Sequence, residues 1–87
     1  MKTIIYNNKC KSWTGDRDFD QMIINGQIDY LQDYCRFRGF IYLDRIYETF
    51  GVEWDPDDKN ICYRQDKGGI EFKVESIDNG NFKIYIS

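Results

Sequence analysis

Three side chains in the second half of the chain have types and a spacing that could do chemistry. Pro56-Asp57 is followed, after thirteen intervening residues, by Glu71-Phe72-Lys73. A pair of carboxylates is a good ligand set for Mg²⁺, and a lysine beside them orients or activates an attacking water. Asp57, Glu71 and Lys73 would therefore support metal-assisted hydrolysis if the fold brought them together.

The same three residues also have a simpler explanation. Their pattern resembles the PD…E-x-K signature of metal-dependent nucleases, a family in which a helix follows the E-x-K strand. Here the chain turns at Asn79-Gly80 and ends in another predicted strand. Glu71 and Lys73 alternate as solvent-facing charges do on a strand, and they could pair with Arg64 and Lys83 across a sheet. A nuclease is therefore kept only as a remote alternative.

Other catalytic residues are missing from the sequence. The chain has no histidine, which is the commonest general base, metal ligand and pH switch at neutral pH. Ser-His-Asp and Cys-His sites are therefore excluded, and a zinc site is not expected. No G-x-G-x-x-G or P-loop spacing occurs, so nucleotide binding has no support in the sequence. We expect no catalytic residues, no metal, no cofactor and no enzymatic activity.

Acidic residues outnumber basic ones, with 15 Asp and Glu against 12 Lys and Arg and a formal net charge of −3. A protein that neutralises phosphates usually has the opposite sign, so we expect no direct contact with nucleic acid. The acids concentrate in two clusters, and the second surrounds a tryptophan that could anchor a partner. The candidate partner-binding residues are Asp16, Asp18 and Asp20, and then Glu53, Trp54, Asp55, Asp57 and Asp58. The alternative is that these charges only form solvated loops.

The cysteines favour a cytoplasmic location. Cys10, Cys35 and Cys62 are odd in number, widely spaced and without a C-x-x-C motif. A small secreted domain would normally show an even disulfide framework, so a reducing compartment is expected. Only Ile4-Ile5-Tyr6 forms an apolar run near the N-terminus, which predicts neither a signal peptide nor a membrane span. We therefore expect no membrane partner.

The first third of the chain predicts a strand and a long helix. A length of 87 residues indicates one domain, spanning residues 1–87. Residues 2–6 are β-branched or aromatic after the first lysine and predict a short strand. A helical pattern then runs from about Asp18 to Phe37, and Asp16 is among its candidate N-caps. Asn25-Gly26 is the point where this helix could break in two.

The strongest folding signal is a second helical segment, from about Leu43 to Phe50. Its apolar residues recur at i, i+3, i+4 and i+7 and so share one face: Leu43, Ile46, Tyr47 and Phe50. Gly39 and Gly51 bound the segment, where chain reversals require positive φ. Two helices joined by a short glycine turn predict an αα corner.

The last third of the chain predicts strands. From Ile61 the apolar period changes to two, as expected for strands covered on one face. Glycine and asparagine in the linkers 66–69 and 78–81 suit tight hairpin turns. The expected fold class is α+β, with a short N-terminal strand, an αα corner and a three-stranded antiparallel meander packed on the helices. If the N-terminal strand joins this sheet, we expect it at an edge.

A resemblance to a known family involves the segment from about Asp29 to Val52 and the β-rich tail that follows it. Residues 38–51 read R-G-F-I-Y-L-D-R-I-Y-E-T-F-G. This segment resembles the R-G-[YFH]-[VI]-[FY]-L-[ND]-x-[VI]-Y-x-x-[LF]-G core of a family of short uncharacterised domains encoded by phages and integrative elements of Gram-positive bacteria. The β-rich tail of that family often opens with Gly-Trp, where this chain has Ile61-Cys62-Tyr63. The resemblance implies a fold and a mobile-element context, but neither an activity nor a site.

The implied context favours a protein that binds and blocks a host factor. Host defence nucleases have basic nucleic-acid channels, and an acidic, aromatic surface complements such a channel. The sequence thus favours a non-enzymatic protein-binding module, acting as an anti-CRISPR-like inhibitor of a host nuclease complex. The alternative is a structural or assembly accessory of the element, which would form homo-oligomers.

Overall fold

The computed structural model of the protein describes residues 2–53, 56–58 and 60–87. Five strands and two helices occur in this part of the chain, which confirms the α+β class. In chain order they are β1 (Lys2–Tyr6), α1 (Arg17–Arg38), β2 (Phe40–Tyr42), α2 (Leu43–Phe50), β3 (Cys62–Arg64), β4 (Phe72–Ser76) and β5 (Phe82–Ile86).

The main sheet has three antiparallel strands in the order β1-β5-β4. Lys2 lies opposite Ile86 in the β1–β5 pair, and Val74 lies opposite Ile84 in the β4–β5 pair. Alternate residues of β5 point into the core, as the period of two predicts, and Phe82, Ile84 and Ile86 are fully buried. The N-terminal strand lies at an edge of this sheet, as expected.

The predicted three-stranded meander is wrong, because β3 does not pair with β4. Instead β3 pairs with β2 in a separate two-stranded sheet, with Ile41 opposite Tyr63. After β3 the chain turns away through residues 65–67 and through Gly68 and Gly69, which both have positive φ. The edge of β5 that a meander leaves empty is taken by β1. Alternation fixes which face of a strand is buried, but it does not fix the neighbouring strand.

The first helix is continuous over 22 residues, so the possible break at Asn25-Gly26 does not occur. Gly26 is exposed, and a Cβ atom there would meet nothing within 4 Å. The Asp16 side chain accepts a hydrogen bond from the Phe19 amide and caps the N-terminus. At the other end, Gly39 has φ 86° and its amide donates to the Cys35 carbonyl.

The predicted αα corner also needs correction, because β2 separates the two helices. Ile41 in the middle of β2 is buried, while its neighbours Phe40 and Tyr42 point outward. The helix α2 forms as predicted, with its four apolar residues buried and Gly51 at its C-cap with φ 73°. Within the described residues, no helix is both long enough and apolar enough to cross a membrane.

The two helix-ending glycines provide a test of the fold. We expect Gly39→Ala to lower the free energy of unfolding by about 1–2 kcal/mol, because an L-residue is strained at positive φ. Gly51→Ala should cost more. It has the same strain, and its Cβ would also lie 3.3 Å from the backbone nitrogen of Lys11. Urea denaturation of both variants measures the difference, and equal losses would contradict the close approach at Gly51.

Candidate protein-interaction surfaces

The first acidic cluster is divided between the interior and the surface. Asp20 is fully buried, and its carboxylate accepts hydrogen bonds from the Thr14 amide at 3.0 Å, the Thr14 hydroxyl at 2.7 Å and the Gly15 amide at 3.0 Å. It therefore holds the loop before α1 and does not belong to a contact surface, contrary to the prediction. Asp16, the N-cap of α1, and Asp18, in its first turn, are exposed, and their charge also suits the helix dipole.

The second acidic cluster is divided in the same way. Asp58 is only 8% exposed, and it accepts hydrogen bonds from the Lys2 ammonium at 2.8 Å and the Tyr47 hydroxyl at 3.2 Å. The Lys2 hydrogen bond lowers the pKa of the Asp58 carboxyl below its usual value, and the Tyr47 hydroxyl lowers it further. Asp58 thus ties its loop to β1 and α2, so its place on the predicted contact surface needs correction as well.

Of the other four residues of the second cluster, two are exposed and two lie outside the described residues. Glu53 and Asp57 are exposed. Trp54 and Asp55 lie outside the described residues. Glu53 borders a groove of about 550 Å³ that Lys9 also lines. Four acids of the two predicted clusters are thus exposed, and acidic surface is used below as a collective name for them: Asp16, Asp18, Glu53 and Asp57.

The groove beside Glu53 offers no evident nucleophile. Its lining includes Cys10, whose side chain is buried. Burial raises the pKa of the Cys10 thiol, and so favours the unreactive protonated form at neutral pH. The groove therefore has a mixed apolar and polar lining, and the one thiol beside it is in its unreactive form.

A second surface, which the sequence did not predict, lies around the outer face of β2. Phe40 and Tyr42 are 36% and 46% exposed, and their rings meet edge to face with centroids 5.6 Å apart. The Arg45 guanidinium stacks on the Tyr34 ring at 4.6 Å, and the Arg38 guanidinium lies 5.7 Å from the same ring. We call these five residues, Tyr34, Arg38, Phe40, Tyr42 and Arg45, the aromatic–arginine face.

The aromatic–arginine face is concave on both sides of its ring pair. One groove, of about 440 Å³, is lined by the five residues of the face together with Asp44 and Glu48. A smaller groove, of about 320 Å³, contains Cys62 and Arg64 from β3. Phe40 and Tyr42 line both grooves, so their rings form a ridge between them. Neither Arg38 nor Arg45 forms an ion pair with a carboxylate in the described part of the chain.

The sequence does not predict the aromatic–arginine face, because Phe40 and Tyr42 lie where it predicts the turn of an αα corner. In a strand, the sequence Phe40-Ile41-Tyr42 buries its middle residue and turns the two aromatic rings outward together. An aromatic residue on either side of one aliphatic residue, directly after a glycine, was the signal that could have found it.

The three residues with hydrolytic spacing are not brought into a recognisable metal site. The ammonium group of Lys73 lies 5.9 Å from the Tyr85 ring, and the backbone of Glu71 pairs with Ser87 at the end of the sheet. Among residues 2–53, 56–58 and 60–87, no three Asp, Glu or Cys side chains group together as candidate metal ligands.

Comparison of the chain with known protein families, with curated proteins and with solved structures finds no match. The resemblance of residues 38–51 to phage-encoded domains therefore stays a prediction. The proposed function therefore rests on the side-chain contacts and solvent exposures described above.

The buried carboxylate of Asp20 gives a test of the first acidic cluster. We expect Asp20→Ala to lower the free energy of unfolding by about 2–3 kcal/mol, because three donors lose a charged acceptor. Asp18→Ala is the matched control on the same helix turn, and it should cost about 0.5 kcal/mol or less because Asp18 is exposed. Urea denaturation measures both. Similar losses for the two variants would contradict a structural role for Asp20.

Proposed function

We propose that this protein is a non-enzymatic protein-binding module of phage or mobile-element origin. The observation that supports the proposal is the aromatic–arginine face. Exposed aromatic side chains beside arginines without carboxylate partners are the residue types that dominate protein–protein contacts. A small domain has little reason to leave Phe40 and Tyr42 in water if they could be buried, because burial of large rings stabilises the fold.

The acidic surface favours binding to a host protein whose own surface is basic. Asp16, Asp18 and Glu53 are exposed and take part in none of the ion pairs of the described residues. Negative potential on exposed loops attracts a positively charged surface and speeds the encounter with it. A host nuclease complex with a basic nucleic-acid channel is a partner of this kind. Anti-CRISPR-like inhibition of such a complex is the activity that we propose for this surface.

A structural or assembly accessory of the mobile element is the second candidate. It is favoured by the mixed charge around the aromatic–arginine face, where Arg38 and Arg45 lie in one groove with Asp44 and Glu48. A surface of both signs suits contact with a copy of itself. The two candidates use different surfaces, so a change in one surface leaves the other intact.

The test of the host-binding proposal is charge reversal on the acidic surface. The tagged protein is used to capture partners from a bacterial host lysate, and the captured partner is then purified and titrated. We expect the variant Asp18→Lys/Glu53→Lys to bind it about tenfold or more weakly, because both reversed charges repel a basic surface.

The matched control is Asp29→Lys/Glu71→Lys, which makes the same change of net charge at two other exposed positions. It should bind the partner much as the unchanged protein does, apart from a small long-range effect that salt screens. Equal weakening by the two double variants would contradict a specific role for the acidic surface, and so would no weakening in either.

A further inference from the structure

We infer that the aromatic–arginine face binds a second copy of this chain, as a two-fold symmetric dimer. The inference rests on the proposed function in one respect, namely that this face is a protein-binding surface. It goes further by naming the occupant. The acidic surface stays free for another partner in such a dimer.

Exposed apolar groups are concentrated around this face. Seven large hydrophobic side chains are exposed among the described residues, and four of them fall between residues 30 and 42. They are Tyr30, Phe37, Phe40 and Tyr42, and Phe37 is 90% exposed. On α1, the positions of Tyr30, Tyr34, Phe37 and Arg38 lie within about 100° of one another around the helix axis. The aromatic surface therefore continues from the β2 ridge along one side of α1.

The shape of this face suits a partner of the same shape. Phe40 and Tyr42 form a ridge with a groove on either side. In a two-fold symmetric contact, each residue i of one copy meets residue j of the other while j meets i. The ridge of each copy can then lie in the larger groove of its partner, and the same arrangement buries both ridges.

The charges of the larger groove point to the same occupant. The groove carries two arginines, Arg38 and Arg45, and two acids, Asp44 and Glu48. A two-fold operation can place the arginines of each groove against the acids of the other. The chain as a whole has a net charge of −3, so two copies repel each other on average. This face is locally neutral and escapes that repulsion.

The same charges disfavour a nucleic acid on this face. Exposed rings on a sheet and nearby arginines also occur where single strands stack. Asp44 and Glu48 lie in the same groove as Arg38 and Arg45, however, and would repel a phosphate backbone. A second copy of the chain uses both signs of charge, whereas a polyanion uses only one.

Sedimentation equilibrium of the purified protein tests the dimer. The chain has a mass of 10.5 kDa. We expect the average mass to rise toward twice that value as concentration increases from about 1 µM to about 1 mM, because self-association follows mass action. A mass that stays at one chain over the whole range would overturn the inference.

Two charge-reversed variants test whether the aromatic–arginine face forms the contact between the two copies. The first is Arg38→Glu/Arg45→Glu and the second is Asp44→Lys/Glu48→Lys. Each alone should raise the dissociation constant of its homodimer about tenfold or more, because like charges then meet across the two-fold axis. An equimolar mixture of the two should recover a dimer, since opposite charges meet again. Asp29→Lys, elsewhere on α1, is the control and should dimerise as the unchanged protein does.

Circular dichroism of each variant shows whether it remains folded, and recovery in the mixture itself requires two folded chains. A dimer that persists in both reversed variants would place the contact elsewhere and overturn the inference. A monomer whose host partner is lost on Tyr42→Ala would also overturn it, while leaving the proposed protein-binding function intact. Binding of a single-stranded oligonucleotide by a monomer, lost on the same substitution, would contradict both.

Discussion

The antiparallel pairing of the first strand with the last is the constraint on which the rest of the structure depends. Because β5 lies between β1 and β4, its inward side chains are buried and it forms the centre of the sheet. Closing a loop of nearly the whole chain costs entropy, which burial of Ile4, Tyr6 and their β5 neighbours offsets. The loop after β1 is also bound to the turn before β5, since the Trp13 indole donates to the Gly80 carbonyl at 3.1 Å.

Two carboxylates that look like surface groups in the sequence instead hold loops to this frame. Asp20 fixes the loop between β1 and α1, and Asp58 joins its loop to Lys2 at the start of β1 and to Tyr47 on α2. Removing a partner from a buried charged hydrogen bond is costly, so both positions are structural. The acids left on the surface are therefore fewer than the sequence indicates, and the exposed rings of β2 become the more prominent feature.

Local physics explains which parts of the fold could be predicted from the sequence. The apolar stripe of α2, the Asp16 cap and the positive φ at Gly39 and Gly51 depend on residues within a few positions of each other. The pairing of β2 with β3 joins residues twenty or more positions apart, and three residues are too few to show a period. The burial of Asp20 escapes prediction for a different reason: its donors at Thr14 and Gly15 are near in sequence, but their contact with Asp20 depends on how an irregular loop folds back over it.

The candidate site was accordingly predicted only in part. Asp16, Asp18, Glu53 and Asp57 are exposed, since charged residues usually stay in water, and their role as a contact surface stays a prediction. The aromatic–arginine face depends on the strand conformation of residues 40–42 and on α1 and α2 bringing Tyr34 and Arg45 together. The spacing of Phe40, Ile41 and Tyr42 holds a signal for the strand, but the contact of Arg45 with Tyr34 cannot be read from spacing because it requires the tertiary arrangement of α1 and α2.

The reactivity of one thiol tests the central claim, that the aromatic–arginine face binds a second copy of the chain, most directly. Cys62 is exposed and lines the smaller groove, whereas Cys10 and Cys35 are buried and burial raises the pKa of both thiols. A small uncharged maleimide at neutral pH should therefore label Cys62 first. We predict that this labelling becomes slower as protein concentration rises, and that Arg38→Glu/Arg45→Glu abolishes the slowing. A labelling rate that is the same at every concentration would contradict the account.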